Sequence, residues 1–172
     1  MPIRWLVLGI VFFIGGHSVA AENATAILKE TAEGSPVSGT ATLQDTPEGL
    51  QISVQVAHVS PGQHGLHIHQ YGRCEDEGKA AGGHYNPDGS KHGFLPTDGF
   101  GSAHAGDLGN IDVRGDGVGT LTLTLHGLRL SGGQYTVGGR SIVLHETVDD
   151  FGQPTGNAGG RIGCGAILVT GE

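Results

Sequence analysis

Between residues 50 and 56 every second side chain is apolar: Leu50, Ile52, Val54 and Val56 alternate with Gln51, Ser53 and Gln55. Successive side chains of a strand leave opposite faces, so a period of two describes a strand with one buried and one wet face. Residues 120–125 repeat the pattern, with Leu121, Leu123 and Leu125 against Thr120, Thr122 and Thr124. The preceding "RGDG" supplies glycines that suit a hairpin turn. Shorter stretches, "NATAILKE", "SGTATLQ", "HGLHIHQ", "NIDVRG", "RSIVLHE" and "GAILVT", read as further strands. No segment carries the 3.6-residue periodicity of an amphipathic helix. About eight strands without helices predict an all-β antiparallel sandwich or barrel.

Between Gly72 and Gly109 the alternation disappears, and it disappears again from Thr147 to Gly163. Glycine accounts for 33 of the 172 residues, far above the usual share of roughly 7%. A loop of such length in a compact domain is either functional or disordered. Nothing in its composition buries an apolar core, so a metal or a disulfide would have to order it.

Residues 1–21 read as an export leader: Arg4 supplies positive charge, "WLVLGIVFFIGG" an apolar run, and "SVA" or "VAA" a small-residue cleavage site before Glu22. The run falls short of the roughly 20 apolar residues of a membrane span, and no cysteine near the cleavage site suggests a lipid anchor. The mature domain is then 22–172, periplasmic or secreted. The whole chain has 9 basic and 17 acidic residues, net −8; loss of a leader whose one charge is Arg4 makes this −9. That balance disfavours nucleic acid and anionic membranes as partners.

Chemistry concentrates in the histidines. Strand periodicity sets His67 and His69 on one face and Leu66 and Ile68 on the other, so two imidazoles roughly 6.5–7 Å apart can converge on one ion. In the long irregular stretch His84, His92, His104 and Asp107 fall within 24 residues, a nitrogen and oxygen set of the size that tetrahedral zinc takes in a closed site. His145 ends the apolar run "SIVL", where a strand would present it at a barrel's edge. His58, His64 and His126 lack such company and read as structural or surface residues. Cys74 and Cys164 are the two cysteines of a chain expected in an oxidising compartment. They predict a disulfide tethering the long loop to the last strands; thiolate ligands or free thiols fit that compartment poorly.

The stretches "HGLHIHQYGRC", "AGGHYNP", "HAGDLGN", "GRSIVLHE", "DDFG" and "TGNAGGRIGCG", in this order, resemble the copper,zinc superoxide dismutases over most of the mature chain. The resemblance implies an eight-stranded Greek-key β-barrel with long metal-binding and active-site loops. It assigns His67, His69, His84 and His145 to copper, and His84, His92, His104 and Asp107 to zinc, one ion of each per chain, with His84 shared. It further implies that Asp149 supports one ligand of each metal, that Cys74 and Cys164 pair, that His64 is structural, and that Arg161 stands beside copper. The implied substrate is superoxide, with His84 and Arg161 as the reacting side chains. A copper or zinc carrier of the same fold without turnover is the competing expectation. Family members include dimers and monomers, so a homodimer and a monomer both stay open.

Two departures from the family pattern stand out. The loop from Asp150 to Arg161 is shorter than in animal cytosolic relatives and lacks the lysine and glutamate pair associated there with anion guidance. Lys79 or Lys91 is expected to substitute in part, because focusing depends on local rather than net charge. The segment "CEDEGKAAGGH" also differs in length from familiar relatives, which bears on the subunit contact.

Overall fold

The computed structural model describes residues 21–170. All but the last residue of the expected leader lies outside them. Eleven strands follow in order: β1 Asn23–Glu30, β2 Ser38–Thr46, β3 Gly49–Ala57, β4 Gly62–His69, β5 Asp107–Val113, β6 Gly119–Leu125, β7 Leu128–Arg129, β8 Tyr135–Thr136, β9 Ser141–His145, β10 Arg161–Ala166 and β11 Leu168–Thr170. The main sheet runs β10-β9-β4-β5-β6-β3-β2-β1-β11, and β10 also pairs with β1. That last pairing, Lys29 opposite Cys164 and Glu30 opposite Gly163, closes eight strands into a barrel. Strand β3 neighbours β6 and β4 neighbours β9, so the connections cross over as in a Greek key. Among the described residues no helix is long and apolar enough to cross a membrane.

The alternation read in the sequence places the core. In β3, Leu50, Ile52, Val54 and Val56 are buried while Gln51 and Gln55 are exposed. Leu43 stands opposite Ile52, and Ile52 opposite Leu123, so the inward side chains stack in layers across the barrel. Full burial of a Leu or Ile contributes about 1.5–3 kcal/mol, and Leu28, Leu50, Ile52, Leu66, Ile68, Ile142 and Leu144 are at most 1% exposed. All eight segments read as strands correspond to strands. The parallel pair β7 and β8 is additional, and among the described residues the helical elements are short turns, at Lys79–Ala81 and Leu95–Asp98.

Strands β4 and β9 depart from simple alternation, because both their faces are covered. From His64 to His69, and from Ser141 to His145, every residue is buried. Leu66, Ile68, Ile142 and Leu144 belong to the barrel core. His67, His69, Val143 and His145 take the opposite parity and lie beneath the two long loops. The disulfide Cys74–Cys164 packs there with Ala81 and Val143. The loop after β4 is further pinned where Tyr85 N donates to Ile68 O at 2.8 Å and Gln70 N donates to Gly83 O at 2.9 Å. Both irregular stretches are thus ordered segments laid against the outside of β4 and β9.

Candidate metal centre

Three groups of ligand-type side chains converge under the loops. His67, His69, His84 and His145 form one; His84, His92, His104 and Asp107 another; His67, His92 and Asp149 a third. Within each, the ligand atoms all lie within 4.8 Å of one another, and every member is buried. The first group joins β4 and β9 to the loop through His84, whose segment bridges to His69. The second belongs to the loop and the start of β5.

The nitrogens divide into two sets by their partners. His67 Nε2 donates to Asp149 Oδ2 at 2.8 Å and His92 Nε2 donates to Asp149 Oδ1 at 2.9 Å. His69 Nδ1 faces the Gly82 carbonyl at 3.0 Å, and His145 Nδ1 the Gly159 carbonyl at 3.4 Å. Each of these imidazoles is therefore oriented by a hydrogen bond from the nitrogen that points away from its neighbours. The opposite nitrogens converge. His69 Nε2 and His145 Nε2 are 3.3 Å apart, and His84 Nδ1 and His104 Nδ1 are 3.4 Å apart, each about as close to Asp107 Oδ1, at 2.9 and 3.1 Å.

Among the described residues the buried side-chain polar atoms without a hydrogen-bond partner are His67 Nδ1 and His92 Nδ1. His92 Nδ1 comes within 3.0 Å of Asp107 Oδ2 but lacks hydrogen-bond alignment. An orphaned buried nitrogen carries a desolvation cost, and lone pairs turned toward one another repel. A cation in each of the first two groups removes both penalties, so these donor sets fit metal ions. Nitrogen donors alone in the first group suit copper, and three imidazoles with one carboxylate suit zinc.

Protonation favours the same conclusion. Burial pushes the imidazole of His67 down, and burial with neighbouring imidazoles pushes His84 to about 4 and His145 to about 3. Burial likewise takes His69 down to about 2. A neutral imidazole is the metal-binding form. His92 differs: burial lowers it, but the carboxylates of Asp107 and Asp149 set against its ring outweigh burial and raise it to about 9. Burial alone would raise Asp107 and Asp149, yet their histidine partners hold both well below the usual carboxylate range. The carboxylates there hold positive charge, which a proton on His92 or a metal cation can supply.

The family model for copper/zinc superoxide dismutase (SODC) matches residues 37–167. The chain belongs to that family. The disulfide, the all-β Greek-key barrel and the ligand-type clusters are thereby features of a copper/zinc superoxide dismutase fold, and Cys74 and Cys164 are bonded as expected.

Around the clusters of this dismutase-family chain the remaining sequence candidates take these places. Arg161, half-buried at the start of β10, donates to the carbonyls of Gly78 and Gly82. His64 is buried, with Nδ1 2.9 Å from the carbonyl of His145 and Nε2 2.8 Å from that of Ser60, a structural tie. His58 and His126 are exposed. Lys79 is exposed and paired with Glu77 at 2.9 Å and Asp76 at 3.7 Å, which offsets its charge as a guide for anions; Lys91 is exposed.

Three supports escaped the sequence reading. The Asn110 amide brackets Asp149, donating to its carbonyl at 2.9 Å and accepting from its N–H at 2.7 Å. Gln153 brackets His92 in the same manner, at 2.8 and 3.1 Å. Gly156, at φ +77°, leaves the space a Cβ would take 1.9 Å from Asp149 Oδ1. Asn110 lies inside the quoted "HAGDLGN", so a signal was present; backbone carbonyls such as Gly82 leave none.

Proposed function

We propose that this chain is a superoxide dismutase that binds one copper and one zinc. Copper would be held by His67, His69, His84 and His145, and zinc by His84, His92, His104 and Asp107. The observation that carries the reading is His84: it belongs to both ligand groups, with Nδ1 turned to Asp107 and His104, which leaves Nε2 for the other set. When bound, copper supplies a one-electron couple that takes an electron from one superoxide, releasing oxygen, and gives it to a second, which leaves with two protons as hydrogen peroxide.

The chain's own residues do the rest. His84 Nε2, the nitrogen left over when Nδ1 turns to Asp107 and His104, would hold and return one of the two protons. Asp149 holds the tautomers of His67 and His92 by accepting from both Nε2 atoms, so each presents Nδ1. Arg161 keeps its charge at any working pH and orients the anion by a charge-assisted hydrogen bond. Asp107 closes the zinc set, and a bound cation there stabilises the loop by linkage.

We further propose that residues 1–21 are an export leader and that the mature protein works in an oxidising, extracytoplasmic compartment. The Cys74–Cys164 bond supports this, because such bonds persist there. The test is superoxide decay with metal-replete protein, before and after chelation, with copper and zinc counted per chain. Accelerated decay with both metals near one per chain is expected. Loaded protein that binds both ions but leaves the decay at its spontaneous rate would instead be a metal carrier.

A further inference from the structure

Arg161 is placed by three contacts that come from two separate segments. Its Nη1 donates to the carbonyl of Gly78, and its Nη2 donates to that of Gly82 at 2.6 Å. Thr31, just past β1, donates its hydroxyl to the main-chain carbonyl of Arg161. Gly78 is buried against the arginine's aliphatic stem. A Cβ there would stand 3.2 Å from Arg161 Cδ, 3.3 Å from Arg161 Cβ and 3.2 Å from Thr31 Cγ2.

The Gly78 carbonyl reaches the guanidinium because the chain turns left-handed over three consecutive residues, with φ +53° at Asp76, +52° at Glu77 and +78° at Gly78. Side chains with a Cβ resist that conformation, so Asp76 and Glu77 need support from outside themselves. It comes from Gly78 N on Cys74 O, Lys79 N on Asp76 O and Ala80 N on Glu75 O. One end of the turn hangs from the Cys74–Cys164 disulfide, which fixes it to the strand that carries Arg161.

We propose that Gly78 is a positioning residue for Arg161: the left-handed turn over residues 76–78 aims a carbonyl at the guanidinium and leaves the room into which the arginine stem packs. The inference rests on the reading of Arg161 as the group that meets the anion. A Cβ at 78 would require both a strained φ and a displaced stem. Since the guanidinium must meet a diatomic anion at hydrogen-bond distance, a shift of a few tenths of an ångström weakens that contact.

The test is a double-mutant cycle on metal-loaded protein with Gly78→Ala, Arg161→Ala and the pair. Two quantities are read: kcat/KM for superoxide, and the Kd of azide as an anion probe, followed in the copper absorption. With Arg161 present, Gly78→Ala is expected to lower kcat/KM and weaken azide by about threefold to tenfold, since a misplacement of about 1 Å costs up to about a hundredfold. In the Arg161→Ala background the same substitution should change neither. Equal losses in both backgrounds, or no loss in either, overturns the proposal. Should Gly78→Ala fail to fold or to load metal, Gly78→Asn, whose side chain tolerates the left-handed conformation but still places a Cβ against the arginine stem, takes its place with the same criteria. Wild-type protein inert toward superoxide would refute the proposed activity, while the azide cycle would still decide the role of Gly78.

Discussion

Replacing Asp149 by asparagine alters one atom and sets two imidazoles against each other. In the native site Oδ2 accepts from His67 Nε2 at 2.8 Å, and Oδ1 accepts from His92 Nε2 at 2.9 Å and from Phe151 N at 2.8 Å. Asparagine keeps the shape but exchanges one acceptor oxygen for an N–H donor. Its oxygen can serve one ring; its nitrogen then meets the other ring's N–H, donor against donor, in a site only 1% exposed. That ring escapes by moving its proton to Nδ1, the nitrogen proposed to bind metal in both His67 and His92. Loss of such a supporting bond weakens metal binding by about tenfold to a hundredfold, or about 1.4–2.8 kcal/mol. The assay is competition with a chromophoric chelator, run separately for copper and for zinc, with circular dichroism to show an intact barrel. At least one affinity should fall by that factor. If both stayed within about twofold of wild type, a change below about 0.4 kcal/mol, the tautomer argument would be refuted.

Other consequences can be measured on the same protein. For metal-free protein the buried imidazoles of His84 and His145, lowered from 6.5 to about 4 and about 3, bind protons only in the unfolded chain over much of the acid range. Stability should therefore fall as pH drops below 6.5. His92, raised to about 9, stabilises below 6.5 and loses that contribution as pH rises through 9, so thermal midpoints of the metal-free form should peak between these limits; a midpoint that climbs steadily into acid contradicts the assignment. Cys164→Ser opens a loop of 90 residues, for which the chain-entropy model gives about 4.6 kcal/mol; denaturant titration should show a loss of several kcal/mol, and a change below about 1 kcal/mol would mean that the loop is held without the bond. Because Glu77 and Asp76 already neutralise Lys79, Lys79→Gln should leave the rate and its ionic-strength dependence nearly unchanged. Lys91→Gln should lower both; the opposite order would identify Lys79 as the guide.

The strands, the inward residues and the ligand types could all be read from the chain itself, because each depends on a local signal. A period of two selects which side chains of β3 and β6 face the core. The parity that buries Leu66 and Ile68 also turns His67 and His69 the other way, so their shared face follows from the covalent chain alone. Clustered histidines in glycine-rich sequence likewise announce a set of ligand-type side chains, and two cysteines in a chain expected to be exported announce their bond. What only tertiary structure decided is which nitrogen of each ring is free and what holds the other. That depends on the Gly82 and Gly159 carbonyls, on Asn110 bracketing Asp149, and on a left-handed turn bringing the Gly78 carbonyl to Arg161. These partners lie from 13 to 83 positions apart in the chain or contribute only backbone. Every residue has a carbonyl, so composition and spacing carry no mark of the few that are aimed, and their direction exists only once the barrel has closed and the loops lie against it.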